Sequence, residues 1–286
     1  MTKNDDLTKN DDLTNETTLV LGGTGKTGRR VVERLAARDL PVRVGSRSGQ
    51  PPFDWNDRST WAPALRGVTA VYVSYQPDVA IPGAAETVGA FADLAVASGV
   101  RRLVLLSGRG EEGAQRSEDA VRAAYPDATI LRASWFCQNF SEGFMLDQVL
   151  AGEVALPVTD MPEPFIDIDD IADAAVAALT EDRHAGRLYE MTGPRLLTFA
   201  DAVAEIGKAS GRDVRFVPIT IDEYMAALAG YGLPDDLLGL LRYLFAEVLD
   251  GRNAALSDGV QRALGRQPRD FSDYARDTAA TGVWEG

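Results

Sequence analysis

The 286-residue sequence holds one cysteine, one histidine and four lysines, and each scarcity closes off a class of function. A single thiol, Cys137, excludes an internal disulfide framework. With His184 as the lone imidazole, the chain is too poor in nitrogen and sulfur ligands for a transition-metal centre, so no metal is expected. His184 lies in EDRHAG, a polar connection in which a solvated side chain without catalytic duty is expected. Positive charge is also in deficit. Twenty-nine basic against 43 acidic residues leave a formal charge of −14, which repels phosphate backbones and anionic lipid, so neither nucleic acid nor a membrane surface is an expected partner. No run of about 18 apolar residues occurs, so nothing reads as a membrane span and the expected location is the cytoplasm. The start of the chain repeats TKNDDL at Thr2–Leu7 and Thr8–Leu13. Acidic and without an apolar core, residues 1–16 read as a disordered leader rather than a signal peptide. The remainder has an ordinary globular composition, 45% hydrophobic and 25% charged, enough for a sizeable core.

What is present is concentrated in Thr17–Leu40, TTLVLGGTGKTGRRVVERLAARDL. Thr17 to Leu21 form a continuous β-favouring run, as for a parallel strand buried on both faces. Gly22, Gly25 and Gly28 follow with the spacing G-x-x-G-x-x-G, and Val31, Val32 and Leu35 then recur on one helical face. Strand, glycine turn and helix are the context that a dinucleotide fingerprint requires. Glycine permits the tight turn and lets backbone N–H groups approach a pyrophosphate, while the helix N-terminus supplies unpaired donors.

Pro41–Gly45 reads as a second strand, and its end bears on the choice of nicotinamide cofactor. NAD sites usually place an acid there for the ribose 2′-hydroxyl. This chain has Gly45, Ser46, Arg47, Ser48, and Arg47 can hold a 2′-phosphate by paired charge-assisted hydrogen bonds, with Ser46 adding another. The expected cofactor is therefore NADP (NADPH) rather than NAD, with Lys26 and Arg29 adding positive charge nearby. Phe53–Trp55 reads as a short third strand that brings Asp54 and Trp55 beside the adenine. Val68–Ser74 is a fourth strand, and Tyr75 and Gln76 in the loop after it are candidates for cofactor or substrate contact. Helical segments at Gly83–Ser98 and up to Tyr125 alternate with strands at Arg101–Leu106 and Ala128–Leu131. This alternation predicts an α/β fold, a Rossmann-type doubly wound parallel sheet with helices on both faces.

Further on, Asp169 or Asp170 is expected to cap a helix at Ile171–Leu179, and Thr198 to cap one running to Lys208. Leu188–Met191 and Val214–Val217 read as strands, and Ile221–Ala229 and Asp235–Leu249 as helices. Their Tyr224, Met225, Leu228, Leu237, Leu241 and Phe245 form an apolar surface that suits a core stripe, an aromatic substrate pocket or a dimer contact.

GGTGKTG near the start, LLSG after Arg101–Leu106, TILRASWFCQNF after Ala128 and PFIDIDDIADAAVAAL at Pro164–Leu179 together resemble the atypical short-chain dehydrogenase/reductases of the NmrA-like group. The resemblance runs from about Thr17 to Trp284. It implies an NAD(P)-binding core at residues 17–157 and a smaller, mostly helical C-terminal substrate part at residues 158–286, some of whose segments return to the core. It also implies that the glycine loop (Gly22, Thr24, Gly25, Lys26, Thr27, Gly28), Arg47, Ser74 to Gln76, Ser107, and Ala133, Ser134, Trp135 and Phe136 surround the cofactor, with a small-molecule substrate held between the two parts.

Typical short-chain dehydrogenases pair a tyrosine with a lysine that lowers its pKa for proton transfer. Here the lysines are Lys3, Lys9, Lys26 and Lys208, and no tyrosine occurs between Gln76 and Ala124. Carbonyl reduction by such a relay is not expected. Two classes remain. One is an NADP-dependent reductase of a quinone, a dye-like compound or another small electrophile, with Ser107, Tyr75 and Gln115 as polar orienting groups. The other is a non-catalytic NADP(H)-binding redox sensor acting through a regulatory protein partner. A homodimer is the default assembly. Arg47→Glu is expected to weaken NADPH binding far more than NADH binding in a fluorescence titration; equal losses would show that the 2′-phosphate sits elsewhere.

Overall fold

A computed structural model of the chain describes residues 17–230 and 232–285; the expected leader, residues 1–16, lies outside the described residues. The chain divides into two compact units. Within the described residues the first holds 17–108, Glu112–Arg132 and Ile171–Tyr189, and the second holds Arg109–Glu111, Ala133–Asp170 and the segment from Glu190 onward.

The first unit is built on a sheet of β1 (Thr17–Leu21), β2 (Val42–Gly45), β3 (Val68–Val73), β4 (Arg102–Gly108) and β5 (Thr129–Ala133), with α1 (Lys26–Ala36), α2 (Trp61–Leu65), α3 (Ala84–Ala97) and α4 (Glu112–Ala124) around it. The later elements are α5 (Asn139–Glu142), α6 (Leu146–Ala151), β6 (Glu153–Leu156), α7 (Ile168–Thr180), β7 (Leu188–Met191), α8 (Phe199–Ser210), β8 (Arg215–Pro218), α9 (Ile221–Ala229), α10 (Asp235–Tyr243), α11 (Gly259–Leu264) and α12 (Phe271–Ala279). The sheet has six strands in the order β2-β1-β3-β4-β5-β7. The pairings β1–β2, β1–β3 and β3–β4 are parallel, and strand order reverses between β1 and β3, the position at which ligands bind in open α/β sheets. The fold is the expected Rossmann-type α/β arrangement. The central strands are apolar where both faces are covered: Leu19, Val20, Leu21, Val71 and Leu105 are fully buried. Close helix approach is set by small residues. A Cβ on Gly113 would lie 2.0 Å from the Ala80 carbonyl oxygen, and one on Gly89 3.2 Å from the Ala120 Cβ.

Three expectations need correction. Phe53–Trp55 is not a sheet strand. Asp54 bridges only to Asp57, its N–H donates to Thr60 Oγ1 at 3.0 Å and its carbonyl accepts from Trp61 Nε1 at 2.9 Å, so local turn bonds use the groups that a ladder would need. The helix expected from Ile171 starts at Ile168, and Asp167 caps it by accepting from the Asp169 N–H at 2.9 Å. Asp170 instead accepts from Arg266 at 2.5 Å and from the Arg269 N–H at 2.7 Å. His184 is buried, with Nδ1 2.9 Å from the Tyr189 hydroxyl, and desolvation pushes its pKa below the ordinary imidazole value.

The second unit carries a two-stranded parallel sheet, β6 with β8, and an aromatic core including Phe140, Phe165, Phe199, Phe245, Phe271 and Trp284. Its helices start on strong local signals. Thr198 with Asp201, and Thr220 with Glu223, form reciprocal capping boxes on α8 and α9. Asp270 caps α12 through the Ser272 N–H at 2.8 Å and accepts two bonds from Arg195, at 2.7 and 2.8 Å. The guanidinium holds the Asp270 carboxyl far below the usual carboxylate range. A depressed carboxylate contributes stability that is complete above the unfolded value of about 4 and fades as the pH falls below it. Asp270→Ala is expected to cost about 1–2 kcal/mol at pH 7 for the lost cap and to flatten part of the acid limb of the thermal stability profile. An unchanged melting temperature at pH 7 would contradict this.

Candidate cofactor site

The turn between β1 and α1 assigns a separate task to each glycine. Gly22 has φ of +68°, a left-handed backbone, and a Cβ there would press on Ser74 Cβ and O at 3.1 Å. Gly28 must be small for packing: its Cβ would lie 2.2 Å from the Gly22 carbonyl oxygen. Gly25 differs. Its backbone is extended (φ −81°, ψ 179°), its N–H donates to Gly22 O at 2.9 Å, and a Cβ would sit tightly, 3.2 Å from the Gly22 carbonyl oxygen, with Gln76 Nε2 next at 4.0 Å. Apart from its chain neighbours, no other described atom lies within 4 Å of that position, so the space beyond it is clear.

That space faces the start of α1. Gly25 is the N-cap, no side chain caps the helix, and its first turn contains no acid. First-turn N–H groups have no carbonyl four residues back, so the helix presents donors and the positive end of its dipole together. The loop is rigidly mounted. The buried Tyr72 hydroxyl donates to Thr27 Oγ1 at 3.0 Å, tying β3 to the first turn of α1, and burial keeps this phenol protonated far above its ordinary range. Thr24 is exposed and Lys26 half-buried. These features fit a dinucleotide pyrophosphate.

At the end of β2, Ser46 uses its carbonyl to accept from the Gly49 and Phe53 N–H groups, at 3.0 and 2.9 Å. This closes a loop from which Arg47 projects, exposed. Among the described residues Arg47 has no ion pair. Trp55 is half-buried in an aromatic cluster, 4.9 Å from the Tyr75 ring and 5.3 Å from Phe91 between centroids. Ser74, Tyr75 and Gln76 therefore lie in one loop, bounded by Gly22 and Gly25 on one side and Trp55 on the other. The Asp54 side chain accepts from the Asn56 N–H at 2.9 Å, a turn role.

Ser107 is buried and donates to Glu118 Oε1 at 2.6 Å. Glu118, also buried, takes two further bonds from Arg132, at 2.9 and 2.5 Å. Gln115, on the same helix as Glu118, is exposed and not joined to Ser107. In the second unit, the Ala133 carbonyl accepts from the Arg109 N–H at 3.0 Å and the Ser134 N–H donates to Met191 O at 3.0 Å. Trp135 packs on Phe199 and Phe245, and Phe136 bridges to Ile166. Sequence reasoning missed the Tyr72–Thr27 latch and the Glu118–Arg132 pair. The signal for the first was a polar group at the end of an otherwise apolar strand. Glu118 carried no signal beyond its place in a polar helix.

No family model matches the chain. Among curated relatives, it is 30% identical over 277 residues to prestalk A differentiation protein A of Dictyostelium discoideum, covering 91% of each chain. It is 32% identical over 280 residues to the uncharacterized oxidoreductase YesF of Bacillus subtilis, covering 93% of this chain and 97% of that one, and 32% identical over 286 residues to agroclavine dehydrogenase of Claviceps fusiformis, covering 94% and 98%. The chain belongs to the NmrA-like family of atypical short-chain dehydrogenase/reductases. This is a family of NAD(P)-binding oxidoreductases with a Rossmann-type fold. Solved structures share the fold of this NmrA-like chain. They include Citrobacter sp. triphenylmethane reductase (TM-score 0.73, 18% identity, 92% of this chain and 99% of that one) and the NADPH-dependent quinone oxidoreductase of Escherichia coli with NADPH (0.73, 21%, 91% and 99%). A third is the negative transcriptional regulator NmrA with NAD (0.71, 16%, 96% and 100%).

Gly25 and Gly28 of the NmrA-like chain separate in mutagenesis. Gly28→Ala is expected to destabilise the first unit by more than about 1 kcal/mol, because carbonyl and Cβ cannot share that space. Gly25→Val is expected to leave a folded protein that no longer binds NADPH. Unchanged NADPH affinity in Gly25→Val would remove the assignment of this loop.

Proposed function

We propose that the chain is an NADPH-dependent reductase of a small electrophilic acceptor, a quinone or a dye-like compound, that works without a Tyr/Lys proton relay. The observation that carries the reading is the uncapped N-terminus of α1 beside the open side of Gly25, with acids excluded from its first turn. Arg47, exposed at the end of β2, supports a preference for the 2′-phosphate, with Ser46 as a second donor. Trp55 and Tyr75 would border the cofactor, together with Ser74 and Asp54. When bound, the reduced nicotinamide supplies the hydride. The chain's own contribution is placement: holding cofactor and acceptor in a reactive arrangement lowers the barrier by about 7–11 kcal/mol in favourable cases. Ser107, Tyr75 and Gln115 would serve as orienting groups. Ser107 is the best anchored, because its bond to Glu118 fixes the hydroxyl and leaves the oxygen lone pairs as acceptors. The activity belongs in the cytoplasm on this reading.

A second reading, a sensor that binds NADP(H) and acts through a partner protein, is favoured by one specific observation. The fold is shared with NmrA, whose structure is described as that of a negative transcriptional regulator.

The test is a titration with NADPH and NADH, followed by quinone and dye acceptors in the same cuvette, reading loss of the reduced nicotinamide. The reductase reading expects tighter binding of NADPH and turnover of at least one acceptor. Tight binding without any turnover would replace it with the sensor. Absence of binding would remove both.

A further inference from the structure

We propose that Tyr72 is a positioning residue for the cofactor: through Thr27, its hydroxyl sets the direction in which the first turn of α1 presents N–H groups to the pyrophosphate. The inference rests on the NADPH-binding reading above and adds to it a buried residue that itself touches no ligand. Both residues belong to the first unit.

The sequence makes the start of α1 permissive. Gly22, Gly23, Gly25 and Gly28 crowd into one short turn, and glycine leaves a backbone more freedom than any other residue. Gly25 begins the helix without a side-chain cap bond, so the usual device for fixing a first turn is missing. The N–H groups of that turn are nonetheless the donors on which the cofactor reading depends. A pyrophosphate gains most from them when they are already held in one direction, because ordering them at the moment of binding costs affinity.

The bond between Tyr72 and Thr27 supplies that direction. Tyr72 lies on β3 opposite Val20 of β1, close below the turn. Its side chain is fully buried, and its hydroxyl donates to Thr27 Oγ1 at 3.0 Å. Thr27, the second residue of α1, is buried as well. Elsewhere in this chain helical hydroxyls turn back on their own helix: Thr87 donates to Gly83 O, Thr180 to Val176 O and Ser210 to Ile206 O, each at 2.8 Å. Such bonds run along the helix and fasten it to nothing else. Among the described residues Thr27 makes no such bond to the Gly23 carbonyl; its oxygen is joined to the sheet instead. A β-branched side chain in a helix has few positions open to it, so holding the Thr27 oxygen holds the turn that carries it.

Packing does not require this pair. Val71 and Val73, on either side of Tyr72, are apolar and buried, and a phenylalanine ring would occupy the same room. Replacing both partners of a buried hydrogen bond by apolar groups of the same shape is nearly neutral for stability. Apolar contact is non-directional, whereas a hydrogen bond constrains angle as well as distance. What the two hydroxyls add is the orientation of the turn, and orientation serves a ligand rather than the core.

The test combines Tyr72→Phe with Thr27→Val, which removes both hydroxyls and keeps both shapes, and titrates the double variant with two probes. NADPH carries the pyrophosphate; adenosine 2′-monophosphate carries the adenine and the 2′-phosphate without it. The double variant should keep the wild-type melting temperature and bind adenosine 2′-monophosphate as wild type does, yet bind NADPH about tenfold more weakly, the scale of one directed hydrogen bond. In turnover with a quinone the loss should appear in the KM for NADPH, with kcat at saturating NADPH unchanged. Thr27→Ser, which keeps the hydroxyl, should retain wild-type NADPH affinity. A pair that serves only the fold would lower the melting temperature and weaken both probes alike, and that result would overturn the proposal. Where the double variant does not fold, Tyr72→Phe alone faces the same two titrations and the same outcomes decide. Wild-type NADPH affinity in the folded variant would overturn this proposal and leave the cofactor reading intact, whereas a wild type that binds no NADPH would remove both.

Discussion

The close approach of Gly28 to the Gly22 carbonyl is the constraint on which the rest depends. It forces the chain leaving β1 to turn back tightly and start α1 directly above the strand end. Because that turn is closed by backbone atoms, the helix begins at a glycine with no side-chain cap bond. The Tyr72 hydroxyl then fixes the turn to β3 through Thr27. The shape of this turn follows from packing alone, and on the proposed reading it is this shape that receives the pyrophosphate.

Much of this was legible in the sequence because it rests on local rules. The apolar run at Thr17–Leu21, the glycine spacing and the Val31/Leu35 stripe each specify one element, and Thr198 with Asp201 announces its helix by a reciprocal cap. The misreadings have a shared origin. Phe53–Trp55 looks extended by composition, yet Asp54, Asp57 and Thr60 offer the backbone nearer partners than a neighbouring strand. Asp167, Asp169 and Asp170 are equivalent as text, and the tertiary positions of Arg266 and Arg269 decide their partners: Asp170 pairs with Arg266, Asp169 with Arg269, and Asp167 both caps the helix and pairs with Arg269. His184 looks solvated because the three residues before it, Glu181, Asp182 and Arg183, are charged, whereas its buried ring meets the Tyr189 hydroxyl and its carbonyl accepts from Thr129 Oγ1.

The candidate site shows the same division. The glycine loop and the residues after β3 are adjacent in space as the sequence implies, since strand ends in a parallel sheet gather on one edge. Residues whose duty depends on what surrounds them were not legible. Ser107 is anchored by Glu118, eleven residues on, in a buried pair with Arg132. Glu163 is a single acid between two prolines, and nothing in its sequence neighbourhood announces that it will be buried with no hydrogen-bond partner among the described residues. In a chain of net charge −14, acids are common and uninformative as letters; the exceptional ones are those that burial keeps from being solvated.

The most direct test of the central claim is to record the backbone amide spectrum of the protein while NADPH is added and to map the shifts onto the chain. The account predicts the largest changes at the amides of Gly25, Lys26 and Thr27, with smaller ones at Ser74 to Gln76. A saturating titration that leaves Gly22 to Gly28 unmoved while other amides shift would contradict it.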